Sequence, residues 1–337
     1  MNIPYRTRQI IKRVLIISLT VILVATAAWG CWLIWLQRFV VYTADGNAKL
    51  DFELPPMADG QIATEPEQET VPIYYNEGEG AINTSTELGQ LVGYYVEPDQ
   101  LQDLTEVKKQ MASLKPDTAV MIDVKNIKGD FYYSSTVGAN RASGVDIQAM
   151  DDLISFMNRS SIYTIARLPA LRDYAYGLNH VPNGVHHSSG LYLYQDDDGC
   201  YWLNPASEGT LSYLTQIVTE LKNLGFDEVV FYDFCYPQTD NIQVNGNKTE
   251  NLTSAAATLT KACTTDRFAL SFVKTEEFTM PEGRSRLYLT GIEAAQAAAA
   301  AESSGVADTV INLVFLTELY DTRFESYSVL RPLSGAH

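Results

Sequence analysis

Basic side chains are scarce in this sequence of 337 residues, which has 24 lysines and arginines against 41 aspartates and glutamates and a net charge of −17. Non-specific binding of nucleic acid depends on neutralising phosphates with lysine and arginine. We therefore predict no nucleic-acid partner. A Gly-x-Gly-x-x-Gly turn and a phosphate-binding loop are also missing from the sequence. No nucleotide cofactor is therefore expected.

Cysteine is rare as well, with four residues that lack the spacing of metal ligands. We therefore predict no metal site and no cofactor. Cys31 lies in an apolar segment, which leaves three cysteines in the rest of the chain: Cys200, Cys235 and Cys263. One disulfide with one thiol is a possible arrangement, but three separate thiols in apolar surroundings are the simpler interpretation.

Charge is absent from residues 14–35, an apolar run of 22 residues that matches the length of a membrane-spanning helix. Four of the five basic residues among the first 42 precede this run. The positive-inside rule therefore places residues 1–13 in the cytoplasm. We predict a transmembrane signal anchor over residues 14–36 and a single-pass cell-membrane protein with an extracellular C-terminal domain. The alternative is a signal peptide cleaved near residues 25–27, where small residues follow the apolar run.

Residues 43–90 contain ten acidic residues and one lysine, with little hydrophobic periodicity. Such a segment cannot bury enough apolar surface to offset the loss of conformational entropy on folding. We predict a disordered acidic linker, which like-charge repulsion extends so that the following domain stands away from the membrane.

Residues 91–337 alternate short β-rich runs with helical segments, the pattern of parallel strands joined by helical crossovers. The predicted strands cover residues 91–96, 118–124, 162–168, 228–234, 268–273, 286–291 and 309–315. The predicted helices cover residues 101–114, 146–157, 208–224, 254–263 and 292–303. Seven strands over this length favour a TIM-type (β/α) barrel, complete or lacking a strand. A doubly wound open sheet is the alternative.

The ligand-binding residues of such a barrel lie where the strands end and on the loops that follow. Asp123 ends the second predicted strand, and Asp233 ends the fourth. Glu276 and Glu277 follow the fifth strand. The carboxylates are therefore predicted to meet at one rim. Aromatic residues follow the same strands, and rings combined with a few polar groups suit a sugar ligand.

Four segments of this domain carry a family resemblance: TAVMIDVKNIKGDFYYSS, SIYTIARLPALRDYAYG, DGCYWLNPASEGTLSYL and GFDEVVFYDFCYP. In this order and spacing, over about residues 90–240, they resemble a family of exported bacterial glycoside hydrolases with an α-amylase-like TIM barrel. The resemblance implies a barrel that acts on polysaccharide outside the cell. Asp123, Lys125, Arg167 and Asp173 match positions of the family motifs.

The chain departs from the family at two positions that matter for chemistry. The family has Phe-Asp-Tyr after the fourth strand, whereas this chain has Tyr232 at the acid position and Asp233 one place later. Because side chains alternate along a strand, Asp233 should face the opposite side unless a bulge or the end of the strand re-aims it. Asn204 replaces the acid of the family's Trp-x-Asp-Pro motif. An amide cannot act as a carboxylate base.

Two functions follow from these residues. The first is a membrane-anchored hydrolase of a cell-wall or environmental polysaccharide, with Asp233 and Glu276 or Glu277 as the carboxyl pair and Asp123 in reserve. The second is a catalytically inactive barrel that binds carbohydrate or acts as a scaffold in the cell envelope. Substrate contacts are predicted for Lys125, Arg167, Asp173, Tyr174, Trp202, Asn204, Tyr232 and Tyr236. A structural alternative pairs Asp123 with Lys125, and Arg167 with Asp173, in ion pairs.

Overall fold

The computed structural model describes residues 88–275 and 278–333, together with Thr26, Trp29, Trp32, Val40–Tyr42 and Ala48–Leu50. Within these residues, no helix combines the length and the apolar character needed to cross a membrane. Most of the predicted anchor and linker lies outside the described residues, and so do Glu276 and Glu277. The chain divides into two units, Met1–Gly80 and Ala81–His337. In the first unit, Val40–Tyr42 pairs antiparallel with Ala48–Leu50. Ala48–Leu50 lies near the start of the predicted linker, so this part of the linker forms a strand.

The second unit contains a closed barrel of eight parallel strands. The strands are β1 Val92–Tyr95, β2 Ala119–Asp123, β3 Tyr163–Pro169, β4 Glu228–Tyr232, β5 Ala269–Val273, β6 Leu287–Thr290, β7 Leu313–Leu316 and β8 Ser328–Pro332. Each strand pairs with the next along the chain, and β8 pairs with β1. The predicted barrel is therefore confirmed, and it is complete. The open-sheet alternative is wrong.

Helices follow most of the barrel strands: α1 Leu104–Met111, α2 Ile147–Arg159, α3 Tyr174–Asn179, α4 Glu208–Asn223, α5 Lys248–Cys263 and α6 Ala297–Glu302. The five predicted helices exist, with shifted ends. Helix α1 begins later than predicted because the Asp103 side chain accepts a hydrogen bond from the Glu106 amide and caps it. Helix α5 begins six residues earlier than predicted because Asn247 caps its first turn in the same way.

The barrel is filled from both sides of its sheet. Side chains from alternate strand positions fill the interior, among them Met121, Ile165, Val230, Val314 and Leu330. The outer face of the sheet packs against the helices, where α4 contributes Leu214, Ile217 and Leu221, all fully buried. Full burial of such a side chain contributes about 1.5–3 kcal/mol. This packing fixes the strands, and therefore the residues at their ends.

A buried polar network lies at the amino ends of the strands. The two oxygens of Glu228 at the start of β4 accept hydrogen bonds from Arg286, from Tyr163 at 3.0 Å and from Tyr288 at 2.9 Å. Arg286 also donates to the Gly89 carbonyl at 2.9 Å. Both charges are therefore paired inside the protein. The structural role expected for an acid at this end of a barrel is consistent with these contacts.

Cys200, Cys235 and Cys263 form no disulfide in the described part of the chain. Cys200 and Cys263 are buried. The arrangement of three separate thiols is therefore the one the structure has, and the alternative of one disulfide is wrong.

Candidate active site at the carboxyl ends of the strands

Asp123 and Arg167 form an ion pair across the ends of β2 and β3. The two residues are register partners in the sheet. Arg167 Nε lies 2.5 Å from Asp123 Oδ1, and Arg167 Nη2 lies 2.9 Å from Oδ2. Such a two-pronged pair fixes both side chains more firmly than a single hydrogen bond. About a quarter of the Arg167 side chain stays exposed, so the pair borders the open end of the barrel.

Three tyrosines surround this ion pair. The Tyr232 ring lies 5.5 Å from Arg167 Cζ, and burial, followed by the charges of Asp123 and Asp233, raises the pKa of its hydroxyl. Burial and the charge of Asp123 likewise raise the pKa of Tyr132. Tyr95, at the end of β1, also interacts electrostatically with Arg167. We call Asp123, Arg167 and these three tyrosines the mouth cluster.

A cavity of about 600 Å³ extends from the mouth cluster along the ends of β6 and β7. Its lining includes Tyr95, Arg167, Thr290, Glu293, Leu316 and Glu318. Burial raises the pKa of Tyr95, and the charges of Glu97 and Glu318 raise it further. Sequence reasoning missed Glu293 and Glu318 because it considered only the ends of strands two to five. The same rule applied to the seventh predicted strand leads to Glu318, which lies three residues beyond that strand's predicted end.

Asp233 leaves β4 in a left-handed conformation, with a φ of 51°. Aspartate and asparagine tolerate this conformation better than most residues. Strand β4 ends at Tyr232, and the left-handed conformation of the next residue re-aims Asp233. The end of the strand is one of the two exceptions to side-chain alternation that the sequence argument names. Burial raises the pKa of its carboxyl, Arg172 lowers it and Asp196 raises it. Asp233 thus interacts with Arg172, whereas Asp123 is paired with Arg167.

Arg172 is held by a cluster of its own. Arg172 Nε lies 2.7 Å from Asp196 Oδ2, and a second guanidinium nitrogen contacts Asp198. Trp202 Nε1 donates to the same Asp196 oxygen at 2.9 Å, and the Trp202 ring lies 5.7 Å from Arg172 Cζ. Trp202 is buried. The contact of Trp202 with a sugar stays a prediction, for a ring that is largely buried beside Arg172.

Lys125 and Asp173 form a second ion pair, which is fully buried. Lys125 Nζ lies 2.7 Å from Asp173 Oδ2, although the ammonium is not aligned for a directional hydrogen bond. Tyr213 donates to the same oxygen at 2.8 Å, and the other oxygen caps α3 by accepting from the Tyr176 amide at 2.8 Å.

These contacts correct two predictions from the sequence. The structure pairs Asp123 with Arg167 and Lys125 with Asp173, instead of Asp123 with Lys125 and Arg167 with Asp173. The chain leaves the sheet after Asp123, so Lys125 no longer shares a strand face with it. Lys125 and Asp173 are also inaccessible to a substrate, with side chains 1% and 0% exposed.

The remaining predicted contacts lie apart from the mouth cluster. The Asn204 side-chain oxygen accepts from the Ala206 amide at 3.0 Å and from the Tyr236 hydroxyl at 3.4 Å, within the turn before α4. Tyr236 is buried, and its contact with a sugar stays a prediction. Tyr174 is exposed, and its ring stacks on Tyr201 at a centroid distance of 5.4 Å.

The fold and this site define a class of protein: a closed, TIM-type barrel of eight parallel strands with flanking helices, whose mouth at the carboxyl ends of the strands is acidic and aromatic. The sequence model of the DUF4015 family, described as "Putative glycosyl hydrolase domain", matches residues 93–274. This match covers more than half of the chain, and the chain belongs to this family.

Solved structures similar to the chain include a hypothetical protein from Ruminiclostridium thermocellum ATCC 27405. It is 20% identical over 53% of this chain and 96% of that one, with a TM-score of 0.46. The glycoside hydrolase domain of PelA from Pseudomonas aeruginosa is 13% identical over 73% of this chain and 95% of that one, with a TM-score of 0.43. An inactive mutant of the GH20 exo-β-N-acetylglucosaminidase from Vibrio harveyi is 8% identical over 72% of this chain and half of that one, with a TM-score of 0.46. No curated protein matches the sequence.

Proposed function

We propose that the barrel is a glycoside hydrolase that cleaves a cell-wall or environmental polysaccharide outside the cell. Membership of the glycosyl hydrolase family supports the reaction class. The observation that carries the proposal is the contrast between two carboxyl groups at the ends of β2 and β4. Asp123 is ion-paired with Arg167, whereas burial raises the pKa of Asp233. Carboxyl groups whose environments differ in this way divide the roles of acid and base between them.

In this mechanism, Asp233 donates a proton to the oxygen of the departing sugar, because burial raises the pKa of its carboxyl and so favours the protonated form. Glycoside hydrolysis also needs a second carboxyl group on the other side of the scissile bond. Among the carboxyl groups predicted from the sequence, Asp123 is the candidate for this role that the structure describes. Glu276 and Glu277 stay predicted alternatives. Glu318 is a further candidate because it lines the cavity that reaches Arg167.

The first test is Asp233→Asn in the full chain, purified in detergent. Reducing ends are measured with peptidoglycan, xylan and mixed-linkage β-glucan as substrates. Loss of the proton donor should lower turnover by about 10²- to 10⁴-fold. The thermal midpoint should stay unchanged, because asparagine also accepts the left-handed backbone. Asp266→Asn, an exposed acid-to-amide change before β5, is the matched control. Unchanged turnover in Asp233→Asn would remove Asp233 from the mechanism.

The second carboxyl group is identified by the same assay. Asp123→Asn, Glu318→Gln, Glu276→Gln and Glu277→Gln are compared, and the residue that shares the reaction should lose turnover as severely as Asp233→Asn. A loss confined to Asp123→Asn would favour the ion pair at the mouth. A loss confined to Glu318→Gln would favour the cavity along β6 and β7.

A second candidate function is a barrel that binds glycan without cleaving it. Two observations favour it: Arg167 occupies both oxygens of Asp123, and Tyr232 stands where the resembling family has an acid. This function predicts that wild type and Asp233→Asn bind polysaccharide equally and release no reducing ends. Detectable reducing ends from wild type that disappear in Asp233→Asn would exclude it.

The location of the barrel is part of the proposal and is supported by the charge-free run of residues 14–35. An anchored protein should stay in the membrane fraction after extraction at alkaline pH, and external protease should digest its barrel in intact cells. A cleaved signal peptide would instead release a protein that lacks the first residues into the medium.

A further inference from the structure

A second concave surface lies between the long segment after β3 and the segment after β4. It encloses about 820 Å³. Its lining includes three tyrosines and three side-chain amides: Tyr192, Tyr194, Tyr201, Gln195, Gln238 and Asn241. We call this surface the tyrosine groove. We propose that the tyrosine groove is a binding subsite for an uncharged glycan chain, a proposal that rests on the proposed function and extends it.

The tyrosine groove is formed before any ligand arrives. Its two walls are joined by a short antiparallel sheet of His186–His187 and Ile242–Gln243. The Ser188 amide also donates to the Asn241 carbonyl at 3.0 Å. Further bridges inside the first wall pair Gly184 with Leu203, His186 with Leu193 and Gln195 with Tyr201. A rigid groove loses little conformational entropy when a ligand binds.

Tyr192 offers an aromatic face to a ligand. One face of its ring stacks on His187, at a centroid distance of 4.7 Å and an interplanar angle of 22°. The residue is nevertheless 56% exposed, so the other face is open to the groove. Sugar rings stack their C–H faces on aromatic rings, while their hydroxyl groups need hydrogen-bonding partners. The exposed amide of Asn241 can supply such a partner.

Charge narrows the class of glycan. The acidic lining residue Asp197 is exposed, and the whole chain carries a net charge of −17. A field of this sign repels a polyanionic glycan. Amides and tyrosines, in contrast, bind hydroxyl groups without a charge on the ligand. The occupant that fits this groove is therefore a neutral polysaccharide.

The tyrosine groove shares a wall with the environment of Asp233. Gln195 and Asp197 line the groove, while the residue between them, Asp196, accepts from Arg172 at 2.7 Å. Arg172 is in turn the cation that acts on Asp233. The turn that contains Asp196 therefore borders the groove on one side and contacts Arg172, the arginine that acts on Asp233, on the other. A glycan in the groove would be directed toward the carboxyl ends of the strands.

The experiment measures binding separately from cleavage, using the full chain in detergent and affinity electrophoresis in gels that contain polysaccharide. Hydroxyethyl cellulose, xylan and galactomannan are the neutral probes. Carboxymethyl cellulose, an anionic relative of the first probe, should retard the protein less than hydroxyethyl cellulose does. Tyr192→Ala should weaken binding to the best neutral probe about tenfold, because the stacking ring is lost. Tyr192→Phe keeps the ring and should bind as wild type does.

Leu191→Ala is the matched control, since Leu191 is an exposed neighbour outside the groove lining, and it should leave binding unchanged. Wild-type affinity in Tyr192→Ala, or no retardation of wild type by any neutral probe, would overturn the subsite. If Tyr192→Ala loses binding while wild type releases no reducing ends, the subsite stands and the hydrolase proposal fails. If Asp233→Asn loses turnover while Tyr192→Ala binds normally, the hydrolase stands and the subsite fails.

Discussion

Removal of either member of the buried pair of Lys125 and Asp173 is expected to destabilise the barrel by an amount that depends on which charge is left behind. Breaking a buried ion pair costs about 3–5 kcal/mol because one charge remains without its partner. In Lys125→Met, Asp173 keeps hydrogen bonds from Tyr213 and Tyr176, so the cost should lie near 3 kcal/mol. In Asp173→Asn, the ammonium is left with the Phe131 ring at 6.0 Å, so the cost should approach 5 kcal/mol.

The double variant Lys125→Met/Asp173→Asn should cost less than the sum of the two single variants, with a coupling energy of about 2 kcal/mol. Urea unfolding of the full chain, followed by circular dichroism, gives the four free energies of unfolding. A second cycle that combines Lys125→Met with Asp123→Asn is the control, and its coupling energy should stay below about 0.5 kcal/mol. A larger coupling energy with Asp123 than with Asp173 would refute the pairing described here and support the pairing expected from the sequence.

Two further predictions concern other parts of the barrel. Glu220 accepts hydrogen bonds from Tyr133, Ser135 and Thr136, and these outweigh burial and lower the pKa of its carboxyl. This stabilisation should be complete above the ordinary glutamate pKa and should be lost as pH falls through the lowered value. The protection factors of the amides in residues 131–141, which correct for the pH dependence of intrinsic exchange, should therefore fall in acid. In Glu220→Gln these protection factors should be low at every pH, and equal profiles in the two proteins would contradict the reasoning. Gly93→Ala should prevent folding, because the new Cβ would collide with the backbone of Ala119, and soluble expression with a cooperative melt would contradict this.

Most of the barrel could be predicted from hydrophobic patterning, but its last strand could not. The seven predicted strands all exist, because runs such as residues 118–124 are apolar on both faces, as strands covered on both sides must be. Strand β8, Ser328–Pro332, combines two apolar positions with a serine, an arginine and a proline. So short and mixed a sequence carries little strand signal, and the strand is defined by its partners β7 and β1.

The candidate site was harder to predict than the fold. Spacing within a strand shows which side chains share a face, so Asp123 was correctly placed at the rim. The choice of partner in an ion pair depends on the register between strands, and spacing within one strand does not give that register. The sequence therefore suggests Lys125 as the partner of Asp123, whereas the structure pairs Asp123 with Arg167 and Lys125 with Asp173. Burial of Trp202 and Tyr236 depends on loops that fold back over the barrel. Aromatic character alone could not show whether a ring is open to a ligand.

The charged network of Glu228 and Arg286 lies at the opposite end of the strands from Asp123 and Asp233. A protein engineer can therefore change the two ends of this barrel separately. Loops grafted onto the carboxyl ends would change the candidate site without altering the contacts of Glu228 and Arg286 at the amino ends of the strands. Grafts that keep the buried pair of Lys125 and Asp173 intact should therefore be tolerated, because the Glu228 network lies at the other end of the strands.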